Sequence, residues 1–245
     1  MTLRLLQWNI LFKENIEHIV QVIRQYQPDV INLQELSSGL EYNRGIDTAS
    51  YIAEKISYNY FFQPGMVWSK DEAKVVGNGI FSKFPISKFS YSCTAQVEKR
   101  QRAEKYGSVY IEGELKLGSI PLTVATDHLM FISQFVETEE KIREVDTLTE
   151  IVKEKKRAYL FSGDLNAPPD SYTIRELKKY LTLCGPDVSQ KTAFTKPLDD
   201  YAGWKTGFDW RLDYVFATND IQVHSAQIIR TDYSDHLPIF IEFSF

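Results

Sequence analysis

The sequence predicts an α/β fold in which two β-sheets pack against each other and helices cover the outside. Strand-like apolar segments occur in both halves of the 245-residue chain, and amphipathic helical segments lie between them. Neither a repeat nor a linker rich in Gly, Ser or Pro divides the chain. We therefore expect residues 1–245 to form a single domain.

The first half of the chain alternates between strands and helices. In LRLLQWNI, period-two alternation places Leu3 and Leu5 on one side of a strand, and Gln7 and Asn9 continue that side. Apolar residues recur at helical spacing in ENIEHIVQVIRQYQ, which Pro28 ends. The next predicted elements are a strand in DVINLQEL, a helix over 47–57, strands over 78–82 and 87–92, and a strand pair over 109–117 and 122–126.

The second half begins with a long helix predicted over 137–156. The strand AYLFSG follows, and Gly163 is expected to turn the chain at the edge of a sheet. A helix over 171–181 should start at a cap formed by Asp170 or Ser171. The C-terminal part is rich in strands, in RLDYVFAT, IQVHSAQII and LPIFIEFSF.

The composition is that of an ordinary globular protein. Hydrophobic residues make up 43% of the chain and aromatic residues 13%, which is enough for a sizeable core. The net charge of −5 gives no general attraction to polyanions, so nucleic-acid binding would require a local basic patch. Cys93 and Cys184 cannot build a disulfide framework and lack metal-ligand spacing.

The sequence shows neither a targeting segment nor a membrane span. The N-terminal segment MTLRLLQWNILF lacks the basic region and the cleavage site of a signal peptide, and no apolar stretch is long enough to cross a bilayer. We therefore expect a cytoplasmic protein, although a chain whose signal peptide had been removed would look the same. No feature indicates an obligate protein partner.

Short polar groups lie at or near the ends of several predicted strands. They are Asn9, Glu35, Asp127 with His128, Asp164 with Asn166, and Asp235 with His236, while Asp213 lies inside RLDYVF. Each has a structural interpretation when taken singly: for example, Asp127 would be exposed beside a core-facing His128, and Asp213 would pair with Arg211. Strand ends at one edge of a sheet sandwich converge in space, however, so the set as a whole predicts a functional site.

The side chains of this set match a hard divalent cation and acid–base chemistry. The oxygen donors, namely Glu35, Asp164, Asn166 and Asp235, suit Mg²⁺ or Mn²⁺. Cysteine is absent from the set, which argues against structural zinc. His128 and His236 add groups that titrate near neutral pH. A hard metal, carboxylates and histidines are the components needed for attack of water on a phosphoryl group.

The same segments resemble the motifs of a known family. They are QWNI at 7–10, PDVINLQE at 28–35, GNGIFSKFPI at 77–86, TDHL at 126–129, SGDLN at 162–166, RLDYVF at 211–216 and SDHLPI at 234–239. Along essentially the whole chain, they resemble the endonuclease/exonuclease/phosphatase superfamily, the metal-dependent phosphoesterases related to pancreatic deoxyribonuclease. The resemblance implies a four-layer α/β sandwich, with two packed, mainly antiparallel sheets flanked by helices and the site at one end of the sheets.

The resemblance also implies roles for individual residues. Glu35 matches the principal metal-binding carboxylate, and Asp235 matches a second ligand or its neighbour. Asn9 would orient a neighbouring carboxylate or help to hold the metal. Asp164 and Asn166 would position the attacking water and bind the phosphate.

The two histidines receive roles in the same way. His236 matches the general base or phosphate-contacting histidine of the family, and Asp213 matches the acid that orients it. His128 matches a second histidine, which stabilises the transition state or protonates the leaving group. Asn78 stands near a position where some relatives carry an acid that pairs with this histidine, and we expect it to contribute to substrate binding.

The expected function is that of a Mg²⁺- or Mn²⁺-dependent phosphoesterase that hydrolyses P–O bonds by in-line attack of an activated water. A phosphodiester is favoured over a monoester, and the substrate would be a small molecule, a lipid head group or a nucleic-acid end. Two alternatives stay open. One is a nuclease or DNA-end-processing phosphodiesterase, and the other is a catalytically inactive phosphate-binding module, against which the complete set of acids and histidines argues.

Three segments are expected to determine substrate choice, namely 63–76, 95–106 and 192–210. The last contains several aromatic residues, Phe194, Tyr201, Trp204, Phe208 and Trp210. They could stack on a base, a sugar or a phenolic leaving group, or could pack the loop itself. Arg100 and Arg102 could contact a phosphate or simply favour solubility.

Overall fold

The computed structural model describes residues 1–68, 70, 73–100, 103–117, 121–196, 198–199 and 205–245. The α-helices in these ranges are α1 (Ile16–Tyr26), α2 (Thr48–Ile56), α3 (Glu139–Val152) and α4 (Tyr172–Leu177). The strands are β1 (Leu3–Asn9), β2 (Val30–Ser38), β3 (Asn59–Val67), β4 (Val75–Ser82), β5 (Ile86–Arg100), β6 (Ala103–Leu115), β7 (Leu122–His128), β8 (Tyr159–Asp164), β9 (Thr182–Leu183), β10 (Leu198–Asp199), β11 (Lys205–Thr206), β12 (Asp213–Ala217), β13 (Gln222–Ile228) and β14 (Ile239–Ser244).

Twelve of the described strands form two six-stranded sheets that are joined along one edge, and β10 and β11 form a separate two-stranded sheet. The first sheet has the order β13-β14-β1-β2-β4-β3, and the second has the order β5-β6-β7-β8-β12-β9. Strands β3 and β6 pair over two residues and link the sheets. Each sheet contains one parallel pair, β1 with β2 and β7 with β8, and the other described pairs are antiparallel.

Three apolar layers hold the sandwich together. Leu3 and Leu5 of β1 lie in the core between the two sheets, and Trp8 on the opposite face of β1 packs with α1 and α2. Helices α3 and α4 cover the second sheet through a core that includes Val145 and Phe161. Burial of each such side chain stabilises the fold by about 1.5–3 kcal/mol. The predicted four-layer α/β sandwich is therefore confirmed, with helices, two sheets and helices in that order.

Helix ends follow local side-chain chemistry. Asn15 caps α1 by accepting a hydrogen bond from the backbone N–H of Glu17, and Ser171 rather than Asp170 caps α4. Helix α3 ends at Val152, four residues earlier than predicted. The residues that follow Val152 are KEKK, which offer no apolar side chain to the core.

The structure contains a strand that the sequence did not predict, and it corrects the expectation for Gly163. Strand β3 occupies part of the segment that was expected to determine substrate choice, and a bulge at Pro64–Met66 accommodates its proline. Gly163 lies inside β8 and does not turn the chain. A Cβ atom on Gly163 would stand 2.1 Å from the backbone oxygen of Asp127, so the glycine permits close approach of β7 and β8.

Among the helices of the described residues, none combines the length and the apolar character needed to cross a membrane.

Candidate active site

The topology brings the predicted site residues to one end of the sandwich. The parallel pair of each sheet ends there, with Asn9 at the end of β1, His128 at the end of β7 and Asp164 at the end of β8. The antiparallel neighbours begin there, because Asp213 opens β12 opposite Asp164 and His236 precedes β14. Residues that are far apart in sequence, such as Asn9 and Asp164, thus lie within hydrogen-bonding distance of each other.

Glu35 reaches this end of the sheet through a bulge in β2. Gln34 and Glu35 together lie opposite the single residue Asn78 of β4. Glu35 has a φ of 62°, and the nearby Asn166 and Ser234 have φ values of 46° and 64°. Positive φ is unfavourable for residues other than glycine, and such strain concentrates at functional sites.

Asn9 connects the carboxylates of Glu35 and Asp164. Its Nδ2 donates to Oε1 of Glu35 at 3.1 Å and to Oδ2 of Asp164 at 3.0 Å. Its Oδ1 accepts from the backbone N–H of Leu11, which fixes the amide in this orientation. The backbone N–H of Phe12 donates to the second oxygen of Glu35 at 3.2 Å.

His236 is buried between two carboxylates. Its Nδ1 lies 2.9 Å from Oδ2 of Asp213, and its Nε2 lies 3.6 Å from Oδ2 of Asp164. Burial by itself lowers the pKa of His236, but the two carboxylates outweigh burial and raise this pKa well above its ordinary value. Arg211, which was considered as a partner of the Asp213 carboxylate, instead donates to the backbone oxygen of Asp213 at 2.7 Å.

His128 faces Asp164 from the other side and is partly exposed. Its Nε2 lies 3.4 Å from Oδ2 of Asp164 and 3.1 Å from Nδ2 of Asn166. Asn166 also donates to the backbone oxygen of Leu129 at 2.9 Å, and its own N–H donates to Oδ1 of Asp164 at 3.0 Å. Asp164 therefore stands at the centre of the site, in contact range of Asn9, Asn166 and both histidines.

The structural interpretation of the Asp127–His128 pair, with Asp127 exposed and His128 facing the core, is wrong. The two environments are reversed. Asp127 is fully buried, accepting hydrogen bonds from the hydroxyl of Thr94 at 2.9 Å and from the N–H of His128 at 2.8 Å. Burial, supported by the charge of Glu144, raises the pKa of Asp127 to about 8.

A buried ion pair on α3, which the sequence reasoning missed, supports the loops of the site. Nζ of Lys141 lies 3.1 Å from Oε2 of Glu144 and donates to the backbone oxygens of Met130 and Leu165, each at 3.0 Å. Oε1 of Glu144 accepts from the N–H of Met130 at 2.8 Å. The signal was present in the sequence, because Lys141 lies four residues before Val145 on the apolar stripe of α3.

A second missed feature is a polar network between the two sheets. Gln7 and Gln34 exchange hydrogen bonds through their side chains, and Gln34 reaches the hydroxyl of Thr126 at 2.8 Å. The Ser162 hydroxyl donates to Oε1 of Gln7 at 3.1 Å, and Nε2 of Gln7 donates to Oδ1 of Asp213 at 3.5 Å. The network thus extends from the core to the acid that holds His236.

The donor set fits a hard cation near Glu35. Burial raises the pKa of Glu35, and the negative charge of Asp235 raises it further against the opposing effect of His128. A divalent cation would stabilise the ionised form of Glu35, which burial and the neighbouring carboxylate disfavour. Asp164, Asp213 and His236 form another group, with ligand atoms within 4.8 Å of one another. In this group, however, Nδ1 of His236 is already bonded to Asp213.

Asn78 lies behind the site. Its Nδ2 donates to the backbone oxygen of Val109 at 2.7 Å, and within the described residues it has no hydrogen bond to His128. Its contribution to substrate binding stays a prediction.

The described aromatic residues of the segment 192–210 pack on the site and on neighbouring segments of the chain. The edge of Phe194 meets the ring of His236 at 5.4 Å, and Trp210 packs on Phe135 at 4.6 Å. Phe208 lies 5.3 Å from the guanidinium of Arg230. The expectations for Tyr201, Trp204, Arg102 and the side chain of Arg100 concern groups outside the described residues.

Comparison with known proteins identifies the family. The model of the Endonuclease/Exonuclease/phosphatase family matches residues 6–236. The chain belongs to this family of phosphoester hydrolases. A UPF0294 protein of Vibrio campbellii (strain ATCC BAA-1116) is 25% identical over 249 residues, covering 99% of this chain and 77% of the relative.

Solved structures of the family share the fold. An endonuclease/exonuclease/phosphatase from Beutenbergia cavernae DSM 12333 superposes with a TM-score of 0.76 at 20% identity, over 100% of this chain and 72% of that one. D. rerio TDP2, in a complex with single-strand DNA product, superposes with a TM-score of 0.71 at 16% identity, over 100% of this chain and 99% of that one. At these identities, the likeness establishes the fold.

Proposed function

We propose that the protein is a Mg²⁺- or Mn²⁺-dependent phosphoesterase that hydrolyses a P–O bond by in-line attack of water, with a phosphodiester as its preferred substrate. The observation that supports this most is the position of Asp164. One of its oxygens lies 3.0 Å from Asn9 Nδ2, 3.4 Å from His128 Nε2 and 3.6 Å from His236 Nε2. A carboxylate placed among these groups can orient a water and accept its proton.

We assign the metal site to Glu35 and Asp235, with Asn9 holding Glu35 in place. All of their donor atoms are hard oxygens, and the two carboxylates lie close enough to raise the pKa of Glu35. A bound divalent cation would neutralise charge on the phosphate oxygens.

The protein's own side chains divide the remaining tasks. Asp164 and Asn166 position the water and the phosphate. The raised pKa of His236 favours an imidazolium at neutral pH, which supports the phosphate-contacting role over that of general base, with Asp213 holding the ring. His128, which is partly exposed, faces the bound ester and stabilises or protonates the leaving group.

The charge balance of the site supports a diester substrate. Four carboxylates, those of Glu35, Asp164, Asp213 and Asp235, surround two histidines at this end of the sheets. A phosphodiester brings one negative charge, whereas a monoester brings about two at neutral pH. Repulsion by the carboxylates therefore penalises the monoester more. Small molecules, lipid head groups and nucleic-acid ends are all sources of such a diester.

Hydrolysis of nitrophenyl esters tests the proposal. With Mg²⁺ or Mn²⁺, the wild type should release nitrophenol from bis(4-nitrophenyl) phosphate faster than from 4-nitrophenyl phosphate, and EDTA should abolish the release. Asp164→Ala should lower kcat by about 10²–10⁴. No turnover of either ester, or turnover unaffected by EDTA and by Asp164→Ala, would refute the proposed activity. Faster hydrolysis of the monoester would refute the diester preference alone.

A further inference from the structure

Three aromatic residues from separate segments meet beside Glu35. Phe12 follows β1, Tyr42 lies in the 3₁₀ turn Glu41–Asn43 and Trp68 follows β3. The ring of Phe12 lies 5.6 Å from that of Tyr42 and 5.6 Å from that of Trp68. The backbone N–H of Phe12 donates to Oε2 of Glu35, so the segment that carries the central ring is anchored to the proposed metal site. We call Phe12, Tyr42 and Trp68 the aromatic wall.

The aromatic wall is separate from the apolar cores of the described residues. None of its members belongs to the clusters between the sheets, under the helices or beneath the 192–210 loop. Tyr42 is 57% exposed, and its hydroxyl makes no hydrogen bond to a described residue. Core packing therefore does not account for the wall, and its exposed ring is available for a ligand.

The wall is held in place by the backbone around it. Nδ2 of Asn43 donates to the backbone oxygen of Glu14 at 3.0 Å, and Oδ1 of Asn43 accepts from the N–H of Ile16 at 3.2 Å. The turn that carries Tyr42 is thus fastened to the loop that carries Phe12. A surface ordered before binding loses little entropy when a ligand arrives.

A cation completes this surface. Nζ of Lys13 lies 5.4 Å from the ring centroid of Phe12 and 5.7 Å from that of Tyr42. In the described part of the chain, no carboxylate lies within 4.0 Å of this ammonium. A cation and aromatic rings side by side suit a ligand that carries both negative charge and a planar group.

We infer that the aromatic wall and Lys13 form a subsite for a planar aromatic group joined to the phosphate of the substrate. The inference rests on the proposed function, because it places the phosphate beside Glu35. The group would stack on Tyr42, and the phosphate would remain near Lys13 and the metal site. A nucleobase and a phenolic group share this chemistry, and both are within the scope of the subsite.

Binding of non-hydrolysable ligands tests the subsite without turnover. In calorimetric titrations with Mg²⁺ present, the wild type should bind phenylphosphonate at least about fivefold more tightly than methylphosphonate, as stacking on an aromatic side chain requires. Tyr42→Ala should remove this difference by weakening phenylphosphonate alone. Tyr180→Ala, which removes another exposed tyrosine far along the sequence, is the matched control and should change neither affinity.

Further ligands identify the source of the aromatic group. If Tyr42→Ala weakens thymidine 5′-monophosphate but not deoxyribose 5-phosphate, the subsite accepts a nucleobase. If it weakens phenylphosphonate alone, the subsite is phenolic, and both results support the inference. Equal affinities for the two phosphonates in the wild type, no binding of either at millimolar levels, or equal losses for both in Tyr42→Ala would overturn it. Selective binding by a protein that hydrolyses no ester would instead refute the proposed function and leave the subsite standing.

Discussion

Asp127 and His128 are adjacent in sequence but have opposite environments. The carboxyl group of Asp127 is enclosed by β5 and β7, whereas the ring of His128 opens towards the site. Alternation along β7 dictates this, because neighbouring side chains of a strand point to opposite faces. The sequence could place the pair at the end of a strand, but it could not tell which of the two sides was covered.

The buried Asp127 should make stability depend on pH. Its folded-state pKa of about 8 is raised above the ordinary value of 3.8, so between these values the native protein keeps a proton that the unfolded chain has released. Native stability therefore falls as pH rises through this window. Asp127→Asn keeps a neutral group of the same shape and should remove this dependence.

Urea unfolding at pH 5, 6, 7 and 8 measures the effect. The stability of the wild type relative to Asp127→Asn should fall by up to about 1.4 kcal/mol per pH unit. Parallel pH profiles for the two proteins would show that Asp127 is ionised in the folded state.

At the scale of elements, α3 links the core to the chemistry. Its apolar stripe packs on the second sheet, while the buried Lys141–Glu144 pair binds the backbone of the loops after β7 and β8. His128 lies immediately before the first of these loops, and Asn166 lies in the second. Helix α3 therefore supports the backbone next to two catalytic candidates.

Lys141→Met should impair both stability and catalysis. The substitution leaves Glu144 buried without its partner and should cost about 3–5 kcal/mol. Loss of the donor to Met130 and Leu165 should also lower kcat more than it raises KM, measured well below the unfolding temperature. Val152→Ala, at the far end of the same helix, is the control that should lose stability by a cavity alone and keep its kcat. Equal kcat values for both variants would limit the ion pair to a structural role.

Sequence patterns predicted well which side chains of a strand share a face. The alternation in β1 correctly separated Leu3 and Leu5 from the helix-facing side. Strand β3 escaped prediction because Pro64 and Gly65 disfavour strands, and a bulge that depends on the partner strand accommodates them. Gly163 was misread for a related reason, since the need for glycine comes from β7 and not from its neighbours in sequence.

At the scale of the whole molecule, the two sheets make equivalent contributions to one site. Each supplies the ends of a parallel pair, and Asn9 of the first sheet bonds directly to Asp164 of the second. The order of motifs was enough to nominate these residues. The bulge that turns Glu35 inwards and the polar network under Asp213 depend on contacts across the sheets, which no local pattern encodes.

Because both sheets contribute to this site, we expect metal binding to stabilise the folded protein as a whole. We propose that residues 1–245 unfold as one unit, because both sheets contribute to the core between them. A cation bound only by the folded state adds about 2.7 kcal/mol at a hundredfold excess over its Kd. For a chain of this size, that corresponds to a rise in Tm of roughly 5–10 °C.

Thermal unfolding of the wild type, Glu35→Gln and Glu54→Gln tests this coupling. Without metal, Glu35→Gln should be at least as stable as the wild type, because it removes a buried carboxylate whose ionised form is disfavoured by burial and by Asp235. With Mg²⁺ or Mn²⁺, Tm should rise for the wild type and for Glu54→Gln, whose change lies on the exposed face of α2, but not for Glu35→Gln. Equal shifts in all three proteins would place the cation elsewhere, and two separate transitions would show that the sheets unfold independently. A single transition that metal moves only when Glu35 is present would show that a cation bound at Glu35 stabilises both sheets together, as expected where Asn9 of one sheet is bonded to Asp164 of the other.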